Sequence, residues 1–168
     1  MATPAHYPVL LSGYHTNGTI AGATTPATMS LSNLLSNTPM GVTRFSSLSG
    51  MYFTLDFGGT VQHTVYYVTL MNSNASSTAT IRWQFAPSSM ADPQLDSGVI
   101  SFWNSGAELQ ARNRRDHHYN LLSMPQSGVG FIRCYLTDDD NPDVYLEPGS
   151  RLIVGCSADS SDKIPSIW

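Results

Sequence analysis

From residue 51 onward, apolar and polar side chains alternate in short runs with a period of two. In MYFTLDF, Met51, Phe53, Leu55 and Phe57 take one side, and Tyr52, Thr54 and Asp56 take the other. That is the pattern of a strand with one face buried. ATIRWQF repeats it, with Ala79, Ile81, Trp83 and Phe85 opposed to Thr80, Arg82 and Gln84. In FIRCYL, Ile132, Cys134 and Leu136 oppose Phe131, Arg133 and Tyr135. VYYVTLM, residues 65–71, is apolar on both sides and predicts a central strand. Residues 99–103, 144–146 and 152–154 complete the set of predicted strands. The core strands are expected at 51–57, 65–71, 79–85, 131–136 and 152–154. Turn signals separate them: Gly58-Gly59, NSNASS, Asp96-Ser97-Gly98 and TDDDNPD. Short strands punctuated in this way predict an all-β antiparallel sandwich.

The rest of the chain lacks this regularity. Val9–Leu11 reads as a short strand, 12–28 as loop with an Asn17-Gly18 turn, and Ser30–Leu35 as one helical turn. Residues 1–28 are expected to form an extended arm or the first strand, 29–156 the sandwich, and 157–168 a polar tail ending in Ile167-Trp168. Residues 104–128 are polar, and Asn, Asp and His are poor helix formers, so this stretch reads as a long loop.

Composition narrows the functions. Of 168 residues only 12% are charged and 41% are hydrophobic; Ser, Thr, Asn and Gly fill the difference. The net charge is −4, and Lys163 is the only lysine. Arg112, Arg114 and Arg115 make too small a basic patch for a nucleic-acid surface. No run of about 18 apolar residues predicts a membrane span. The start, MATPAHYPVLLSGYH, has no signal-peptide pattern, so synthesis and assembly in a cytoplasm are expected. Cys134 and Cys156 read as small apolar strand residues, with a bridge between them if their strands are neighbours.

Few residues carry chemistry. Asp138, Asp139, Asp140 and Asp143 lie within six positions, close enough to supply hard oxygen ligands to Ca²⁺. The ordinary reading is a turn whose Asn and Asp side chains cap their own backbone. No other cofactor is indicated. Trp103, Tyr119 and Tyr135 are candidates to stack on a sugar ring or to fill a subunit interface. His117, His118 and Trp168 are interface candidates; adjacent histidines on a strand face opposite ways and chelate poorly. Arg82 and Arg133 sit on polar strand faces, where an ion pair between sheets or subunits is the ordinary role. No nucleophile elbow or phosphate loop is present, and Glu108 and Glu147 are the only glutamates, so no enzyme is expected.

Three stretches carry a family resemblance. FTLDFGGTVQHTVYYVTLMNSNASSTATIRWQF resembles the middle of discoidin-like, galactose-binding-type jelly rolls. LDSGVISFW and FIRCYLTDDDNPDVYLEPGSRLIVG resemble the following turn and the closing segment of such proteins in tailed bacteriophages. The order and spacing fit over residues 30–156. Two departures stand out: Val144 replaces a turn glycine, and Pro148 interrupts the Tyr-x-Glu strand. The resemblance implies a virion structural protein of the tail, tail tip, baseplate or a fibre. It would work as a homo-oligomer among other phage structural proteins. The alternatives are a carbohydrate-binding module for host adsorption and a capsid decoration protein. The resemblance also allows for calcium-binding members and for histidines that bind metal on a trimer axis.

Overall fold

The computed structural model describes residues 18–36, 41–58, 62–103 and 116–157; within these, side chains at 66, 67, 116–126, 156 and 157 are outside the description. Among the described residues, eleven strands form in chain order: β1 (Thr19–Gly22), β2 (Thr43–Phe45), β3 (Met51–Asp56), β4 (His63–Ser73), β5 (Thr80–Ala86), β6 (Leu95–Asp96), β7 (Ile100–Ser101), β8 (Asp116–Val129), β9 (Phe131–Thr137), β10 (Leu146–Gly149) and β11 (Arg151–Ser157). Two 3₁₀ turns, Ala27–Met29 and Leu31–Leu35, precede β2. The second matches the helical turn expected there.

The strands form a large sheet in the order β1-β3-β9-β5, with β6 and β7 both on the far edge of β5. A three-stranded sheet, β11-β4-β8, and a two-stranded ribbon, β10-β2, complete the fold. All pairs are antiparallel. The period-two runs decide which face is inside. Phe53, Leu55, Ile81, Trp83, Phe85, Ile132, Cys134 and Leu136 of the large sheet are buried with Val65, Val68, Leu70, Leu152 and Val154 of the small one in a single apolar cluster. Phe53 meets Trp83 edge to face at 6.1 Å. Leu31 and Leu34 of the 3₁₀ turn and Phe45 of β2 join the same core. At about 1.5–3 kcal/mol per large side chain, this cluster is the dominant favourable term in folding.

The structure departs from the predicted elements at several places. Residues 116–129 form a strand inside the expected loop. β4 offers a full edge, and pairing with it overrides the weak intrinsic preference of the segment. β8 is an edge strand with three register shifts, which is where Pro125 is tolerated. Thr19–Gly22, expected as loop, pairs with β3. The strand expected at 99–103 shortens to two residues, and Phe102 and Trp103 turn inward. Cys134 is a buried free thiol, so the considered bridge to Cys156 is not formed. Burial pushes its pKa up and keeps it unreactive. The expected strand at Val9–Leu11, Glu108, the arginine cluster at 112–115 and the tail with Trp168 lie outside the described residues.

The strand expected at 144–146 begins only at Leu146, because Val144 adopts φ +55°. A β-branched residue in that region is strained by roughly 1–2 kcal/mol, and Val144 is 82% exposed, so packing does not offset the strain. Pro148 falls at the irregularity between the Leu146 and Gly149 pairings of β10. Val144→Gly is expected to raise stability by about 0.5–1 kcal/mol, the strain relieved less the backbone entropy glycine loses. Urea unfolding should show a higher midpoint at unchanged slope; an unchanged midpoint would refute the strain.

Candidate functional site

The aspartate run folds into a clasp. Asp138 is buried, and its carboxylate accepts hydrogen bonds from the Ser76 backbone N–H (2.8 Å), the Ser76 hydroxyl and the Asn141 amide (2.7 Å). Asn141 also donates to the Asn74 carbonyl (3.1 Å), and Asn74 donates to Asp143 (3.1 Å) and the Tyr145 carbonyl (3.0 Å). Asp139 and Asp140 are exposed. Among the described residues, no three His, Cys, Asp or Glu side chains come together as a metal-ligand set. The Asp138 carboxylate is taken up by N–H and O–H donors, as in the ordinary turn reading, and a bound Ca²⁺ would have to displace them. Trp103 belongs to this clasp too. It is buried, and its indole N–H donates to the Ser76 carbonyl (2.8 Å), so its face is not open for a sugar. The backbones of His117, His118 and Tyr119 lie on β8, with His118 opposite Leu70 and Tyr119 opposite Thr69. Their side chains lie outside the described residues.

The outer face of the large sheet carries the more reactive arrangement. Strand register places outward-facing residues, most of them polar, in rows across it. One row is Tyr52, Tyr135 and Arg82. The next is Ala21, Thr54, Arg133, Gln84 and Asp96, spanning five strands. Tyr52 and Tyr135 stand 5.8 Å apart between ring centroids, and Tyr52 is 39% exposed. Asp96 accepts a forked pair of bonds from Arg82 and one from Gln84 (2.9 Å). The ion pair lies within one sheet, whereas an arginine of this kind was expected to pair between sheets or subunits. The Arg82 guanidinium, with help from Gln84 and the Gly98 N–H, holds the Asp96 carboxyl well below the usual carboxylate range.

Arg133 differs from Arg82. Its Nε donates to the Thr54 hydroxyl (2.9 Å) and its Nη1 to the Tyr135 hydroxyl (3.4 Å). It makes no ion pair among the described residues. It opens onto a groove of about 370 Å³ floored by β3 and β9, with β1 as one wall and Ser88–Met90 as the other. Two glycines bring the walls close. A Cβ on Gly22 would collide with the Tyr52 carbonyl, and one on Gly130 with the Pro87 carbonyl. The sequence marked Tyr135 and Arg133 but gave Tyr52 no role. Its alternation with Phe53 places it on the outer face, but only strand pairing puts it beside Tyr135.

Two outcomes check this description. Asp138→Ala strands the Ser76 and Asn141 donors in a buried place and is expected to lower stability by about 1–3 kcal/mol in chemical denaturation. Stability unchanged within a few tenths would mean that the clasp closes without the carboxylate. The depressed Asp96 pKa means that its ion pair stabilises the fold above the unfolded-state pKa, near 4, and that this contribution fades as pH falls below it. Thermal unfolding of Asp96→Asn should therefore differ from the parent at pH 6, and the gap should narrow steadily as pH falls below about 4. A gap as large at pH 2 as at pH 6 would contradict the assignment.

No protein-family profile matches the sequence, and no curated protein is a significant match to it. Solved structures are similar in fold. A chitosan-binding module from a chitosanase/glucanase of Paenibacillus sp. IK-5 superposes with a TM-score of 0.59 at 12% identity, over 84% of this chain and 96% of that one. A family 32 carbohydrate-binding module from C. perfringens, solved in complex with galactose, gives 0.58 at 8% identity, over 83% and 94%. A fucolectin from striped bass (Morone saxatilis) serum gives 0.60 at 10% identity, over 89% of this chain and 50% of that one. The antiparallel sheets, their shared apolar core and this likeness together show that the chain has the discoidin-like, galactose-binding-type β-sandwich fold.

Proposed function

We propose that this protein is a non-catalytic carbohydrate-binding module, carried on a tailed-phage particle to adsorb it to glycans of the host surface. The observation that carries the reading is similarity over nearly the full length of several structures named as carbohydrate-binding modules or lectins. Geometry adds to it. The outer-face groove combines an exposed aromatic ring, hydroxyl groups and a guanidinium, which are the groups that hold sugar rings. Among the described residues lining that groove none is a carboxylate, whereas a glycosidase uses two flanking the scissile bond. Glu147 is buried against Arg44 and is engaged there.

The phage setting rests on the two stretches, LDSGVISFW and FIRCYLTDDDNPDVYLEPGSRLIVG, that resemble proteins of tailed bacteriophages. They also favour a second reading, an assembly part that works as a homo-oligomer and binds only its neighbours. One experiment separates the two. The purified chain is applied to an immobilised glycan array, and its mass is taken by light scattering. Glycan binding by the chain is the expected result. A blank array with a trimer or larger ring would replace the first reading by the second.

A further inference from the structure

Arg44, Arg82 and Arg133 all approach a tyrosine ring. Arg44 stacks on Tyr145 at 3.7 Å, Arg82 lies 5.9 Å from the Tyr135 centroid, and Arg133 lies 5.8 Å from Tyr52 and 6.0 Å from Tyr135. Arg44 pairs with Glu147 at 2.6 Å, and Arg82 pairs with Asp96. Arg133 has no carboxylate within ion-pair distance among the described residues, although it is half-buried. A guanidinium has five N–H donors, and among the described residues only one on Nε and one on Nη1 are used. Thr54 and Tyr135 hold the fork in place, so little freedom is lost when an acceptor arrives. The remaining donors face a groove lined by Gly22, Tyr52, Thr54, Ser88 and Met90, open to solvent and about 370 Å³ in volume. That lies at the lower end of the roughly 300–1,000 Å³ of small-molecule sites.

We infer that this groove binds a carboxylated saccharide. The sugar carboxylate takes the free edge of Arg133 in a forked pair of hydrogen bonds. The ring lies against Tyr52, and its hydroxyls meet Ser88 and Thr54. A carboxylate suits the planar fork better than a neutral hydroxyl, because both oxygens accept in one plane. The assignment deepens the carbohydrate-binding reading and rests on it. It concerns the face of the large sheet, built from strand residues and the single loop 87–91.

The test uses an array holding oligogalacturonates and sialyl-lactose, sulfated oligosaccharides, and neutral galactose and fucose oligosaccharides. The chain is expected to bind carboxylated members, less tightly as salt rises. Arg133→Gln should weaken that binding by about tenfold or more, and Arg133→Lys, which keeps the charge but not the fork, by less. Ser88→Asp leaves Arg133 and the core untouched, puts a negative charge in the groove wall, and should weaken binding comparably. Melting temperatures of the variants confirm that each is folded. Neutral-only binding would overturn the carboxylate assignment and leave the module reading standing. Sulfated-only binding would do the same. Carboxylated binding unchanged in both Arg133→Gln and Ser88→Asp would overturn the site. A blank array would overturn the module reading and this inference together.

Discussion

Strand β9 has a neighbour on each side and something to place on each face. β3 pairs along one edge and β5 along the other, residue for residue from Phe131 to Leu136. Because side chains alternate strictly, putting Ile132, Cys134 and Leu136 into the core fixes Arg133 and Tyr135 outside. A slip of one residue would bury a guanidinium and a phenol and expose the apolar set, at a cost far beyond the stability of a domain this size. The hydrophobic core therefore sets the geometry of the outer face. Tyr52 and Tyr135, Thr54 and Arg133, and Arg133 and Gln84 are neighbours because Phe53, Cys134 and Trp83 are neighbours one residue on, inside.

This coupling explains what could be read in the chain. The runs at 51–57, 65–71, 79–85, 131–136 and 152–154 correspond to β3, β4, β5, β9 and β11 within a residue or two at most ends. Each carries its periodicity locally, and burial on one face enforces it. β8 and β1 carry no such signal. β8 begins with DHHYN, which favours neither helix nor strand, and it forms because β4 presents unpaired backbone groups along its other edge. β1 is four residues of TIAG, held by pairing to β3 and by the absence of a side chain at Gly22. Such strands are stabilised by partners distant in sequence, and no window of the sequence contains those partners. The groove is invisible for the same reason: its two walls are separated by more than sixty residues. Tyr135 and Arg133 were legible as outward-facing, whereas the proximity of Tyr52 to either was not.

The closing turn is a strong local signal that admits two meanings, a cation site or a turn that caps its own backbone. Four aspartates in six residues look like a cation site when counted. Burial divides them: Asp138 goes inside, and Asp139, Asp140 and Asp143 stay out. A buried carboxylate needs partners, and Ser76 and Asn141 supply donors to it. The consequence is mechanical. The turn is tied to the loop at residues 74–78 and through it to Trp103, so the end of β9 and the start of β5 are held in one polar network. Val144 sits in the same turn in a conformation that glycine would adopt without strain, and the clasp tolerates it.

The outer face also shows why local surroundings matter more than net charge. The chain carries −4 overall, which by itself disfavours anions. Beyond a Debye length of about 8 Å, however, scattered surface charges are screened in physiological salt. The polar groups a ligand meets in the groove are one guanidinium, a phenol and several hydroxyls, set beside Met90 and Phe131. Asp96, the nearest carboxylate along the row, is already committed to Arg82 and Gln84. By taking up Asp96, Arg82 leaves Arg133, two strands from the sheet edge, without an ion-pair partner among the described residues. The bland ion pair and the open guanidinium are thus one arrangement. Removing Arg82 would free Asp96 to turn towards Gln84 and Arg133, so a residue that lines no part of the groove sets how positive the groove is.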